Sequence, residues 1–226
     1  MKRNNYYDVT DWQVGNPYTD IGEVINSIIA DIKNRQKDTN VNDGGKPGAV
    51  IYIPSGDYHL KTQVKIDISY LKIQGSGHGF VSERSGAAFL VEREGDPRIS
   101  SVEFENFCID GLHFVDDGNG DPENTYLNGK TGIYVASAQD SFRITGMGII
   151  YLEHGVTLYN SDALSVHDNF IAECGNCVEL RGAGQASKIT DNLMGAGYRG
   201  YTIFAENFGG LLITSNNIFP RGKSIV

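Results

Sequence analysis

The sequence predicts an all-β chain wound as a single-stranded parallel β-helix with a capping helix at its amino end, and three observations carry that expectation. The first is a repeat. Phe142-Arg143-Ile144-Thr145-Gly146, Leu164-Ser165-Val166-His167-Asp168-Asn169, Ser187-Lys188-Ile189-Thr190-Asp191-Asn192 and Leu211-Leu212-Ile213-Thr214-Ser215-Asn216 align, placing Ile144, Val166, Ile189 and Ile213 at steps of 22, 23 and 24 residues. The second is a further column following each anchor by about a dozen residues: Val156-Thr157-Leu158, Val178-Glu179-Leu180 and Thr202-Ile203-Phe204. Each unit therefore holds at least two short β-branched strands between Gly, Asn and Asp turns, with no helical segment. A period of this length built from strands alone lets each coil stack on the one before, with inward residues forming continuous apolar columns. Leucine-rich repeats share the length but need a recurrent leucine code and a convex helix, and neither is visible. The third observation is the column Asn169, Asn192, Asn216. Stacked turn asparagines can hydrogen-bond along the stack and tolerate left-handed backbone angles, so this column reads as scaffold.

Length and composition agree with one elongated domain over residues 1–226. No Pro-, Ser- or charge-rich linker divides the chain, and its 28 glycines suit many tight turns. A formal charge of −9 argues against nucleic acid or an anionic membrane as partner, whereas a neutral sugar is compatible with it. Met1-Lys2-Arg3-Asn4-Asn5 leads into polar sequence without the apolar core of a signal peptide, and no run is long enough to span a membrane. The expectation is a soluble chain that starts inside the cell, or a secreted one from which a signal has been removed. The chain stops at Ile225-Val226 in mid-coil, which reads as a shortened carboxyl end.

Asp20 to Gln36 is the one helix. Ile21, Val24, Ile25, Ile28, Ile29 and Ile32 share a face, Asp20 with Glu23 three residues on suits the amino end, and Lys33 and Arg35 suit the carboxyl end. A solenoid needs its first coil covered, which places this helix as the cap. Strands follow at Ala49–Ile53, Val64–Ile66 and Leu71–Ile73. The opening helix and the turn Ile53-Pro54-Ser55-Gly56-Asp57-Tyr58 resemble the pectate-lyase-like β-helix superfamily. Val115 to Lys130 is a polar insertion that superficially suggests a calcium loop. It lacks the terminal bidentate Glu and the alternation of an EF-hand, and reads better as an exposed loop beside a cleft.

Cys108, Cys174 and Cys177 are too few for a disulfide framework, and Cys174-x-x-Cys177 is a lone pair. Zinc would need two more ligands from elsewhere, with His167 and His154 no more than possible neighbours, so inward-facing or turn thiols are the simpler reading. No HExxH, GxSxG, Walker loop or dinucleotide fingerprint appears, and neither metal nor cofactor is expected. Carboxylates remain. Asp162, Asp168, Glu173 and Glu179 fall within one coil and its turns. With Val178 and Leu180 inward, alternation sends Glu179 to the outer surface, in a column with Tyr134, Thr157 and Thr202. Asp168 lies at the turn after the first strand of the same coil. Paired carboxyls suit glycosidic bond cleavage, although exposed acids on a β-helix are ordinarily solvated turn residues.

Six stretches sharpen this picture: Asn42 to Pro54 (NDGGKPGAVIYIP), Asn128 to Ile133 (NGKTGI), Ile144 to Gly148 with YLEH ending at His154, Ile171 to Leu180 (IAECGNCVEL), Gly182 to Gln185 (GAGQ) and Asn217 to Gly222 (NIFPRG). Together they resemble the inulin fructotransferase family. The resemblance implies a right-handed β-helix assembled as a homotrimer with active sites between subunits. It also implies removal of terminal difructose from inulin, a β-2,1-fructan, by intramolecular fructosyl transfer that closes a difructose dianhydride. A sister group of difructose-anhydride hydrolases opens the dianhydride to inulobiose on the same scaffold. The family relies on an Asp and a Glu eleven residues apart, and both Asp168 with Glu179 and Asp162 with Glu173 have that spacing. Asp168 and Glu179 are preferred, because Glu179 is borne on a strand whereas Glu173 sits in a Glu-Cys-Gly turn. In this expectation Glu179 protonates the leaving glycosidic oxygen, and Asp168 steadies the oxocarbenium-like carbon or deprotonates the attacking fructose hydroxyl. Gln185, Asn128 and Arg221 are candidate sugar contacts. The alternative from another class is a non-catalytic β-helical module that binds carbohydrate or serves as a structural segment.

Overall fold

The computed structural model describes residues 5–36, 48–77, 79–95, 98–111, 127–196 and 200–219. Within them the repeat becomes a coil of three strands. Phe142–Thr145, Gly148–Ile150 and His154–Tyr159 make one coil, and Leu164–His167, Phe170–Cys174 and Asn176–Arg181 make the next. Equivalent strands pair in parallel from coil to coil, giving among the described residues a first sheet of eight strands, a second of seven and a third of six. The second-sheet strands were not legible in the repeat. They are two to five residues long and follow the Asn corner within two residues, too short for a period of two to declare itself.

Inward columns hold the coils in register. Ile51, Ile73, Phe104, Ile144, Val166, Ile189 and Ile213 lie side by side along the first sheet. The first six are fully buried, each stabilising the fold by about 1.5–3 kcal/mol. Ile213, in the last described coil, is 47% exposed. On the third sheet Val156, Val178 and Ile203 form the inward column, and Thr157, Glu179 and Phe204 the outward one. Phe204, not Thr202, is therefore the outer neighbour of Glu179, one correction to the alignment read from sequence.

The asparagine column is a ladder, as expected. Asn169 Nδ2 donates to Asn192 Oδ1 at 2.9 Å, and Asn192 Nδ2 to Asn216 Oδ1 at 3.0 Å. The second proton of each amide reaches the carbonyl of Ile144, Val166 or Ile189. The left-handed angles, however, belong to the residue before each asparagine: Asp168 (φ 58°), Asp191 (φ 59°) and Ser215 (φ 57°). The backbone turns there so that the next amide can point inward, where it satisfies the buried corner.

The helix spans Pro17–Arg35, three residues earlier than the sequence suggested, with Asn16 Oδ1 accepting from Tyr18 N at its start. Asp20 is not its cap but a break, with extended angles (φ −155°, ψ 94°). Its carboxylate accepts from Gly22 N, Lys61 N, Thr62 N and Thr62 Oγ1, tying the helix to the turn before Val64–Ile66. The approach is so close that a Cβ on Gly22 would lie 1.9 Å from the Thr62 carbonyl oxygen. Ile21, Val24, Ile25, Ile28, Ile29 and Ile32 are buried against the first coil, so the helix caps the solenoid as expected. Among the described residues no helix is long and apolar enough to cross a membrane. The polar insertion Val115 to Lys130 lies largely outside the described residues.

Replacing Asn192 by Ala removes two donated and two accepted side-chain hydrogen bonds from a buried corner. Equilibrium urea unfolding of Asn192→Ala is expected to show a loss of about 3 kcal/mol without a change in denaturant slope.

Candidate active site

The third sheet gathers the chemistry. Its strands His154–Tyr159 and Asn176–Arg181 run in lateral register, setting His154 beside Asn176, Thr157 beside Glu179 and Tyr159 beside Arg181. Val178 and Leu180 point into the core and Glu179 points outward, as alternation requires. Outward is not exposed here. The Glu179 side chain is 1% accessible, covered by groups that bond to it. Oε1 accepts from Asn176 Nδ2 at 3.0 Å and from Arg181 Nε and Nη2 at 3.0 and 2.6 Å. Oε2 lies 2.5 Å from His154 Nδ1 and accepts from Thr157 Oγ1 at 3.3 Å.

Aromatic rings flank this cluster. The Arg181 guanidinium sits 4.2 Å above the Phe204 ring, which packs on Tyr201 at 5.3 Å. In the preceding coils Tyr134 and Tyr159 stack at 6.4 Å, with Tyr134 next in register to Thr157. A polar floor between aromatic walls is the lining that sugar rings favour, because their C–H faces pack on π-systems while their hydroxyls need partners.

The electrostatics fix protonation. Burial alone would raise the Glu179 carboxyl, but the hydrogen bonds and charges of His154 and Arg181 hold it down at about 2. His154 moves the other way. Its bond to Glu179 raises it above the ordinary imidazole value against the effect of burial, and the Glu153 carboxylate adds to the rise. In this arrangement His154 and Arg181 favour the ionised form of the Glu179 carboxyl.

The other expected site residues fall elsewhere. Asp168 occupies the corner after a first-sheet strand, the position held at positive φ by Asn106, Gly146, Asp191 and Ser215 in other coils. Its side chain is 67% exposed and meets His167 Nδ1 at 2.8 Å. Eleven residues are half of a 22- to 24-residue coil, so Asp168 and Glu179 stand on different faces of one chain, and they share no hydrogen-bond partner. Asp162 is bound by Arg98 Nη1 at 2.9 Å, and Glu173 lies not in a turn but at an irregularity within the second-sheet strand Phe170–Cys174, at φ 53°. Asn128 is a corner brace. Its Oδ1 accepts from Lys130 N and Glu153 N and its Nδ2 donates to Tyr151 O, which positions the segment carrying His154. Gln185 lies exposed on the short strand Gly184–Gln185, paired with Phe208–Gly209 beyond the third sheet. Arg221 lies outside the described residues.

Cys174 and Cys177 are buried, their thiols donating to the carbonyls of Ala172 and Ile171. His154 and His167 are occupied by carboxylates. Among the described residues no group of three or more His, Cys, Asp or Glu side chains could hold a metal ion. What sequence reasoning missed is the set His154, Asn176 and Arg181. The signal was present, since a step of 22 residues laid along the Val156 and Val178 column places His154 beside Asn176.

No family model matches the chain. Over 95% of its length it is 45% identical to the inulin fructotransferase (DFA-I-forming) of Arthrobacter globiformis. The crystal structure of DFA-IIIase from Arthrobacter chlorophenolicus A6 without its lid superposes with a TM-score of 0.88 at 62% identity, covering 97% of this chain. Over nearly its whole length this chain is similar to the inulin fructotransferase family. Structures of the same DFA-IIIase in complex with DFA-III and with GF2 superpose with a TM-score of 0.87. The right-handed β-helix expected from the sequence is thus the fold of the family. The chain spans 61% of the length of both the curated fructotransferase and the lidless DFA-IIIase.

The two shifted groups set a stability profile. Glu179 contributes stability above the ordinary carboxyl value of 4.5 that is lost as pH falls toward about 2. His154 contributes stability below the ordinary imidazole value of 6.5 that is lost as pH rises through its raised value. The urea midpoint is expected to be highest between these ordinary values and to fall on both sides, with the acid limb reduced in Glu179→Gln.

Proposed function

We propose that this chain carries out the family's fructosyl transfer, releasing terminal difructose from β-2,1-fructan and closing it into a difructose dianhydride. The observation that carries this reading is the 45% identity to a DFA-I-forming inulin fructotransferase over 95% of the chain. The site chemistry agrees. As the bond from the ketal carbon to the glycosidic oxygen breaks, the oxygen gains negative charge and the carbon positive charge. Arg181 and His154, fixed by the buried Glu179, present donors to the oxygen. An anion for the carbon must come from elsewhere.

The half-coil separation supplies a reason for assembly. In a homotrimer with sites between subunits, the Asp168 corner of one subunit meets the Glu179 face of the next, so one site draws both halves of the pair from different copies. Asp168 there steadies the cationic carbon or takes the proton of the attacking fructose hydroxyl. A second reading, hydrolysis of the dianhydride to inulobiose, is favoured by the higher identity to DFA-IIIase, 62% against 45%.

Incubating the purified chain with inulin and, separately, with difructose dianhydride, then resolving products by chromatography, decides between them. A non-reducing dianhydride from inulin is the expected result. Inulobiose from the dianhydride alone would establish the hydrolase, and no product from either would leave a non-catalytic β-helical module. Shared sites make their own prediction: Asp168→Asn and Glu179→Gln chains, each inactive alone, regain about a quarter of parental turnover when unfolded, mixed equally and reassembled. A mixture as inactive as its components would exclude the shared site.

A further inference from the structure

The proposed function asks Asp168 to meet a cationic carbon or an attacking hydroxyl, and this inference rests on that reading. An aspartate on a surface corner suits such work only if something holds it, because its carboxylate otherwise turns about two side-chain bonds. The backbone is held. Asp168 stands at φ 58°, its carbonyl accepts from Gly146 N at 3.2 Å, and the next residue, Asn169, is locked into the ladder by Asn192. The side chain is 67% exposed, and its partner among the described residues is His167, whose Nδ1 lies 2.8 Å from Oδ2. A carboxylate only accepts, so Nδ1 carries the proton of that bond and Oδ1 is left open to a ligand.

The ring that makes this bond is itself confined. His167 lies in lateral register with Thr145 of the preceding coil and Thr190 of the following one, about 4.8 Å to either side. Thr145 Oγ1 comes within 3.3 Å of the same Nδ1, and the imidazole is only 30% accessible. The neighbouring corner shows what the pairing adds. Asp191 makes the same left-handed turn (φ 59°) but follows a threonine, and among the described residues its carboxylate has no hydrogen-bond partner.

We propose that His167 is a positioning residue for Asp168: its Nδ1–H holds Oδ2 so that Oδ1 is presented outward in one orientation. The imidazole exchanges no proton with the sugar. It narrows the placements that the Asp168 carboxylate samples to one that is ready when the ketal carbon becomes cationic. An exposed ion pair adds at most about 1 kcal/mol to stability, whereas misplacing a reacting group by about 1 Å costs about 10²-fold in rate. The pair therefore matters for turnover and not for folding.

The full chain is compared with His167→Ala, His167→Asn and His167→Gln on inulin and on difructose dianhydride. The Asn amide nitrogen falls where Nδ1 stands and can donate to Oδ2, while the Gln amide reaches one bond farther, to the place of Nε2. Turnover is expected to fall about 10- to 100-fold in His167→Ala and His167→Gln, with KM changed less than about twofold, and to stay within about threefold of the parent in His167→Asn. The urea midpoint stays at the parental value in all three. A loss of turnover that tracks a lowered urea midpoint, with His167→Asn no better than His167→Ala, marks a merely structural histidine and overturns this role. An active parent whose His167→Ala variant keeps kcat within about twofold overturns this role alone. An active parent indifferent to Asp168→Asn removes the part given to Asp168 and this role with it, and a parent that turns over neither sugar overturns the transfer reading and this role together. A readout free of turnover is the tautomer of the His167 ring, followed by its imidazole nitrogen shifts in NMR. A protonated Nδ1 is expected in the resting chain, and an unprotonated Nδ1 removes the bond on which the role depends.

Discussion

Lateral register between coils is the constraint on which the rest of the molecule depends. Neighbouring strands lie about 4.8 Å apart, so residues one coil apart in sequence become touching neighbours in space. The inward column from Ile51 to Ile213 fixes that register, because a slip of one residue would turn a row of isoleucines and valines to the surface and bring polar residues in. The asparagine ladder pins it a second time with directional bonds that form only when the corners align. His154 meets Glu179 for the same reason that Val156 meets Val178.

The Glu179 cluster shows how a β-helix tolerates a buried charge. Removing a carboxylate from water is costly, and a hydrophobic residue on the same strand would pack without that cost. Here both oxygens are fully engaged, by one imidazole, one guanidinium, one amide and one hydroxyl drawn from two adjacent coils. No loop is involved. A site built from strand residues inherits the stiffness of the sheet, which suits chemistry that depends on placing a donor within fractions of an ångström.

The fold was largely legible because it is periodic. The anchors Ile144, Val166, Ile189 and Ile213, the asparagine column and the isoleucine face of the helix each behave as their spacing implied. The second-sheet strands and the break at Asp20 were not legible, since short strands carry no period and a carboxylate that bonds to a distant turn leaves no local mark. The site was legible only as a residue. Glu179 could be placed on the outer face, but its burial depends on His154 and Arg181 folding over it, a matter of side-chain packing that no pattern of polar and apolar positions encodes. The spacing of eleven fitted two pairs and did not choose between them, and in a chain that closes a turn every 22 to 24 residues it sets the two carboxylates of either pair about half a coil apart.

Because the coil is the unit of length, the chain measures insertions against it. An added or lost residue between Thr157 and Glu179 has to be absorbed in a corner, or it carries His154 out of step with its carboxylate. Removal of one whole turn elsewhere simply brings the next pair of coils together. The same geometry makes the corners the places where relatives can differ in length while their sheets remain superimposable. Loops grown there can reshape the walls above an unchanged floor, so the lining of this face can vary while the Glu179 cluster beneath it stays as it is.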